Sequence, residues 1–321
     1  MTSTESTVGP EPAGSPSGSR AEGPVAASPA AMSAARLAYW SVQRELWENR
    51  WIYLVPLIVA AVFLLGFVTG VARIPIPFPI PHKITASHSL SRLLEAPFDF
   101  ASMVLMLTYV IVAVIYCLAA LHAERWDRSI LFWKSLPVSD LMTVLAKASV
   151  PVVLLPLIAF ALIIATHIAM LLVGTAVLTG RGAHVTEIWG QIPFLSMWGA
   201  LLYHLLSVHA LYYTPFYGWM LLVSGWARRA AFLWASLPIA AVIIVEKLVF
   251  DTSVFGHMLL SRLAGGPGAI AFPRHGDMPM QAPTLANLSA FLSSPGLWIG
   301  LAVFAAFLAG AVWLRRRQGP I

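Results

Sequence analysis

The chain has 321 residues, of which 59% are hydrophobic and only 11% are charged. A soluble domain carries about 25% charged residues, so this composition excludes a water-soluble globular protein and favours an integral membrane protein. The net charge of +6 does not indicate a nucleic-acid partner, because basic residues beside membrane helices serve to orient them.

The chain begins with a polar tail. Residues 1–32 are mainly Ser, Gly, Pro, Ala, Thr and Glu. Such a segment cannot bury enough apolar surface to offset the entropy lost on ordering, so it is predicted to be disordered. It also lacks the basic start and apolar core of a signal peptide.

An amphipathic helix is predicted over residues 33–50. Trp40 and Trp47 fall within one apolar stripe, whereas Glu45 lies outside it. Arg44 falls within the stripe, where its long side chain can reach lipid headgroups. Tryptophans on such a stripe favour a helix lying in the membrane interface, and the alternative is a helix docked on protein.

Six stretches that can cross a bilayer follow, since a spanning helix needs about 20 apolar residues. The predicted spans are 51–71, 101–121, 148–172 (with an alternative end at 178), 198–222, 230–250 and 295–314. Prolines inside some of them are tolerated, because neighbouring helices can satisfy the freed backbone groups. The sequence therefore predicts an all-α membrane protein whose transmembrane domain occupies residues 51–317.

The distribution of Lys and Arg orients these spans. The pair Arg228-Arg229 and the run at 315–317 lie in short segments, where positive charge acts most strongly. We expect both termini in the cytoplasm, in the inner membrane of a bacterium. The outer connections are then 72–100, 179–197 and 251–294. The last contains an apolar piece at 285–292 that is too short to span.

Motifs of ATP hydrolysis and of common membrane hydrolases are absent from the sequence. No lysine follows a glycine, which excludes a P-loop, and neither HExxH nor GxSxG occurs. The single cysteine, Cys117, excludes an intramolecular disulfide and multi-cysteine metal sites. We expect a protein that is not an enzyme by itself and binds no cofactor directly.

The connection at 122–147 is rich in charge between two charge-free spans. Pro137 should end a short helix running from about Arg128 to Leu136, and Ser139 is placed as the N-cap of a helix that continues into the third span. The short helix presents apolar side chains among charges, which indicates either a partner contact or residues resting on lipid headgroups. These side chains are Ile130, Leu131, Phe132 and Trp133.

The connection at 122–147 resembles the cytoplasmic loop of ABC-2 type transporter permeases, in which a Glu-containing stretch and a short coupling helix followed by Leu-Pro-Val-Ser join the second and third spans. Residues 40–51, residues 209–238 and the outer segment before the sixth span are similar to the same family, so the resemblance extends over 33–317. Asp127-Arg128-Ser129 departs from the Gly-Thr step that many members have.

The resemblance implies a permease subunit of an ATP-driven exporter, working as a homodimer or with a second permease. A separate cytoplasmic ABC ATPase would bind ATP and Mg²⁺ and dock on the short helix. The implied docking residues are Glu124, Arg128, Ile130, Leu131, Phe132, Trp133, Leu136 and Pro137.

Polar residues in the fourth span are functional candidates, because polar side chains are costly in lipid. They include Tyr203, His204, His209 and Tyr212. The two histidines are five residues apart and do not share a face of an α-helix, so we do not expect them to bind a metal. A helix–helix hydrogen-bonding or dimer surface is the expected role. His167, in the third span, is expected to be a hydrogen-bonded core residue.

Two other functions remain open. An ion-coupled secondary transporter would need no ATPase, but paired halves with similar interrupted helices are not recognisable. A membrane-embedded transferase would need His, Asp or Arg clustered at one membrane face, and the histidines of the outer connections are scattered.

Overall fold

A computed structural model describes residues 33–73, 87–135, 138–181, 189–190, 192–263 and 285–319. They form helices joined by short turns, and no strand occurs among the described residues. Within these ranges, six helices are long and apolar enough to cross a membrane, which confirms the expected helical architecture with six helices of spanning length. The predicted tail at 1–32, Leu136 and Pro137 lie outside the described residues.

The helices of the described residues differ widely in length. The first half contains α1 (Ala34–Glu48), α2 (Trp51–Ala72), α3 (Ser87–Ala119), α4 (His122–Trp126), α5 (Ser129–Ser135) and α6 (Asp140–Ser149). A π-helical segment, π1 (Val150–Leu154), joins α6 to α7 (Leu155–Gly180). The second half contains α8 (Phe194–His204), π2 (Leu205–Tyr212), α9 (Thr214–Trp226), α10 (Ala231–Phe250), α11 (Val254–Leu263), α12 (Leu285–Leu292) and α13 (Pro295–Arg317).

The start of the third span follows the sequence signals. The hydroxyl of Ser139 accepts a hydrogen bond from the backbone N–H of Met142 at 3.2 Å, which confirms the predicted N-cap. From there α6, π1 and α7 run as one helix of 41 residues, Asp140–Gly180. Pro151 lies in π1, whose wider turn accommodates a residue that cannot donate a backbone hydrogen bond.

Two connections contain more helix than the sequence indicates. α3 already begins at Ser87, inside the connection expected at 72–100, and it accommodates Pro97. The connection at 251–294 contains α11, which was not predicted, and α12, whose bounds match the short apolar piece. The predicted fourth span, 198–222, lies within a longer run of three pieces, α8, π2 and α9.

The closest helix packing is between α9 and α13. A Cβ atom added to Gly218 would lie 2.7 Å from the Phe304 ring, so only glycine lets these two helices approach so closely. By contrast, α10 is the least covered span, and it exposes Phe232, Leu237 and Leu248. Such an apolar surface is suited to lipid rather than to water.

One end of the bundle gathers the polar and short elements. α1 and α13 both pack against α6 there, and α4 leads directly into α5. Arg125 of α4 donates to the carbonyl oxygen of Gly225 at 2.7 Å, which brings the connection between α9 and α10 to the same end. We call this end the α5 face.

Candidate functional site

Beneath α5 lies a cluster of charged side chains from four helices. Its members are Arg44 and Glu45 of α1, Glu124 of α4, Asp140 and Lys147 of α6, and Arg315 of α13. We call it the ion cluster. These are three carboxylates and three cations, and the Glu48 carboxylate lies at the edge of the cluster, 3.5 Å from Nε of Arg44.

Lys147 is the centre of the ion cluster. Its Nζ atom lies 3.0 Å from Oε1 of Glu45 and 3.0 Å from Oε1 of Glu124. Lys147 is 2% exposed and Glu45 is fully buried. The Tyr116 hydroxyl donates a further hydrogen bond to Glu45 at 2.8 Å. Because removing charges from water is costly, these buried groups are stable only beside the opposite charges that they contact.

A second set of ion pairs extends the cluster to α13. Arg315 pairs with Glu124 through one guanidinium nitrogen, and its Nε atom lies 3.0 Å from Oδ1 of Asp140. On the other side, Arg44 lies 2.9 Å from Oε1 of Glu45 and 3.7 Å from Oε1 of Glu124. The ends of α1, α4, α6 and α13 are therefore held by a single electrostatic network.

These contacts correct three expectations from the sequence. Glu45 was placed on the polar face of α1, and Arg44 was expected to reach lipid headgroups. Both instead face the ends of other helices, because the polar face of α1 packs on protein rather than facing water. Glu124 was expected as a surface contact for a partner, but it is only 5% exposed and is enclosed by cations.

The short helix α5 rests on the ion cluster by one face. Ile130 is 1% exposed, and Trp133 lies under the Arg44 guanidinium, whose central carbon is 3.9 Å from the ring centroid. Lys134 donates to the carbonyl oxygen of Gln318 at 3.0 Å. The opposite side of helix α5 exposes Leu131 and Phe132, whose exposed fractions are 58% and 59%.

Arg128 is exposed immediately before α5. Its backbone has φ 61°, in the left-handed region that few residues other than glycine adopt. The Asp127 carboxylate accepts a hydrogen bond from the backbone N–H of Ser129 at 2.9 Å, and α5 begins at Ser129 after this turn. The predicted docking residues thus divide into an exposed set (Arg128, Leu131 and Phe132) and a set held inside (Glu124 and Ile130), with Trp133 between them.

Acid should weaken the attachment of α1. Burial raises the pKa of Glu45, but Lys147 and hydrogen bonds from Lys147, Tyr116 and Arg44 outweigh it and hold the pKa below the ordinary 4.5. A lowered pKa adds stability that is present above the ordinary value and lost as the pH falls through the folded-state pKa. We therefore expect the thermal midpoint of the wild type to exceed that of Glu45→Gln at neutral pH.

That difference should persist down to about pH 4.5 and shrink below it. The measurement is thermal unfolding of both purified chains from about pH 7 to about pH 3. Because other carboxylates titrate in both chains, the difference between the two midpoints is the informative quantity. A difference that stays constant or grows in acid would contradict the assigned role of Glu45.

The fourth span corrects another expectation. His204 and His209 were expected on different faces, yet their ring centroids lie 5.4 Å apart. The reason is π2: residues five apart come close together in a π-helix, whereas they diverge in an α-helix. His204, His209 and Tyr212 are at least 93% buried within the single chain, so they do not form a surface for a second copy. Tyr203 is half-buried.

Polar atoms without partners surround His209. Neither of its ring nitrogens has a hydrogen-bond partner among the described residues, and the same holds for the hydroxyls of Tyr109 and Tyr217. The Tyr109 ring centroid is 6.5 Å from that of His209. His167, in contrast, has hydrogen-bond partners, as expected. Trp198 donates to its Nδ1 at 3.1 Å. The proton of His167 is therefore on Nε2, which donates to the carbonyl oxygen of Phe98 at 3.0 Å.

Replacing His209 by leucine should therefore stabilise the chain. The substitution removes two buried nitrogens without partners, and we expect a gain of about 1 kcal/mol in the free energy of unfolding. His167→Leu is the matched control, because the same substitution there removes hydrogen bonds that are formed in the folded protein and should lower its stability. Thermal unfolding in detergent measures both. A loss of stability with His209→Leu would show that His209 is satisfied in the folded protein.

Sequence reasoning missed most of the ion cluster. Arg315 was used only to orient the spans, and Asp140 and Lys147 were seen as part of a charged loop. The sequence feature that could have revealed them is their position at the ends of apolar helices, because a charged side chain there needs either water or an opposite charge. The sequence could not show which helix ends meet.

The described residues contain no group of three or more His, Cys, Asp or Glu side chains arranged to hold a metal ion. Comparisons with protein-family models, curated proteins and solved structures find no match for this chain. The geometry of the α5 face is therefore the feature from which a function can be inferred.

Proposed function

We propose that the chain is the membrane-spanning permease subunit of an ATP-driven exporter of the ABC-2 type. In this proposal the α5 face lies in the cytoplasm, and so do both termini. A separate P-loop ATPase binds ATP and Mg²⁺ and docks on α5. The permease works as a homodimer or with a second permease, and α1 lies in the membrane interface with Trp47, which is 59% exposed, toward lipid.

The construction of α5 is the observation that carries this proposal. α5 offers Leu131 and Phe132 to a partner, while its other face holds Trp133 against Arg44 of the ion cluster. Exposed apolar side chains rimmed by charge are typical of a protein contact. A helix that only rested on lipid headgroups would not need a rigid attachment to the ends of α1, α6 and α13.

The same contacts provide a route for mechanical coupling. A displacement of α5 acts on Arg44 through Trp133, and from there on Lys147 through Glu45. Lys147 lies in the continuous helix Asp140–Gly180, which crosses the membrane. π1 interrupts the regular hydrogen-bonding of that helix three residues after Lys147, and such interruptions are places where helices bend. Docking of the ATPase would thereby tilt the third span.

The experiment is co-expression of the tagged chain with the P-loop ATPase encoded by a neighbouring gene. We expect the ATPase to co-purify with the chain, and proteoliposomes of the pair to hydrolyse ATP faster than the ATPase alone. Accessibility of a cysteine introduced at position 132 to a membrane-impermeant reagent tests the orientation. Labelling from the outside of intact cells, or solute transport by the chain without any ATPase, would overturn the proposal and favour the ion-coupled transporter.

A further inference from the structure

The connection between α9 and α10 concentrates positive charge at one point of the α5 face. α9 ends at Trp226 and α10 begins at Ala231, so this connection lies where the chain leaves one membrane helix and enters the next. Arg228 and Arg229 are both exposed within it. Neither guanidinium forms a salt bridge with any carboxylate of the described residues.

The backbone of this connection is held in place. The carbonyl oxygen of Ala227 lies 3.1 Å from Nδ1 of His122 and accepts from Arg125 at 3.3 Å. Ala230, the residue immediately before α10, adopts the left-handed conformation, with φ 49°. The two arginines are therefore presented by a fixed turn, which lowers the entropy lost when they bind a ligand.

Aromatic side chains adjoin the arginines. Trp226 and Trp234 pack edge to face with ring centroids 4.9 Å apart, and each is 46% exposed. Phe232, on the first turn of α10, is 64% exposed. Tryptophans are typical of the depth at which lipid headgroups meet the acyl chains, so the arginines next to them lie at the level of lipid phosphates.

We propose that Arg228 and Arg229 bind the phosphate of an anionic phospholipid, whose acyl chains lie against Trp226, Trp234 and Phe232. The charges are complementary, since two unpaired guanidinium groups face a phosphodiester, and guanidinium is the side-chain group best matched to phosphate oxygens. The aromatic surface gives the acyl chains an apolar contact, which a soluble anion would not use. The site does not depend on the exporter hypothesis.

The test uses the full chain purified in a neutral detergent. Phosphatidylglycerol or phosphatidylcholine is titrated in, and lipid retention is measured by native mass spectrometry together with the thermal midpoint. We expect the wild type to retain phosphatidylglycerol in preference to phosphatidylcholine. Arg228→Gln/Arg229→Gln should weaken phosphatidylglycerol binding about thirty-fold. Each arginine near an anionic membrane surface contributes about 1 kcal/mol, and the sum for two arginines corresponds to about this change in affinity.

The matched control is Arg316→Gln/Arg317→Gln, which makes the same change in net charge on the same face. Arg317 already lies over the Trp313 ring, 4.4 Å from its centroid. This control should retain phosphatidylglycerol within about threefold of the wild type. Equal losses in both double variants, or no loss in the first, would overturn the site. Equal stabilisation by glycerol 1-phosphate would also overturn it, because the ligand would then be a free anion rather than a lipid.

Discussion

Replacing Lys147 by methionine is expected to lower the free energy of unfolding by about 3–5 kcal/mol. The substitution keeps the length of the side chain but removes the cation between Glu45 and Glu124, which lie 3.0 Å from its Nζ atom. Both carboxylates would then be buried with fewer positive partners. The penalty follows from the desolvation of charge, which only a well-placed opposite charge offsets. Thermal and chemical unfolding in detergent measure the loss.

Two further variants make this expectation specific. Lys134→Met removes a lysine from the α5 face that is exposed and donates only to a backbone carbonyl, so it should change stability by no more than about 0.5 kcal/mol. Glu45→Gln combined with Lys147→Met removes one charge of each sign and should recover part of the loss. If Lys147→Met were no more harmful than Lys134→Met, the ion cluster would not hold the helix ends together.

If the proposed ATPase docks on α5, replacing Phe132 by aspartate is expected to weaken its binding at least about thirty-fold, as for a hot-spot residue of an interface. Phe132 is 59% exposed, so an aspartate there remains hydrated while the chain is alone. In a complex, the same carboxylate would be buried in an apolar contact without a partner. The chain should therefore fold normally and fail only in docking, which co-purification and stimulated ATP hydrolysis measure.

The neighbouring tryptophan provides the contrast. Trp133→Asp should weaken docking and also lower the thermal midpoint, because the Trp133 ring contacts Arg44 of the ion cluster. Phe132→Leu keeps an apolar side chain and should preserve most of the binding. If the Phe132→Asp variant still binds the ATPase fully and stimulates ATP hydrolysis, α5 is not part of the interface. Its exposed side chains would then contact lipid headgroups.

Much of the fold can be predicted from local patterns. Long apolar stretches predict the six spanning helices, because the bilayer requires each segment to satisfy its own backbone hydrogen bonds. Ser139 predicts the start of α6, because its hydroxyl caps free N–H groups close in sequence. The charge pattern and Pro137 also predict a short helix from about Arg128 to Leu136, and α5 (Ser129–Ser135) lies within that range.

The ion cluster and π2 could not be predicted, because both depend on distant parts of the chain. Glu45 and Lys147 are separated by 102 positions, and nothing in either segment shows that α1 packs on α6. The α-helical spacing rule separates His204 from His209, whereas the extra residue in each turn of π2 brings their rings together. Whether a helix widens in this way is decided by the surrounding side chains, so single-sequence periodicity does not reveal it.

The order in which the cluster's charges occur along the chain bears on how the protein is made. Arg44 and Glu45 are synthesised first, then Glu124, Asp140 and Lys147, and Arg315 comes last. Until the ribosome reaches Arg315, Glu124 and Asp140 lack the cation that pairs with both of them. Insertion of the final helix therefore completes the network that holds the ends of α4 and α6.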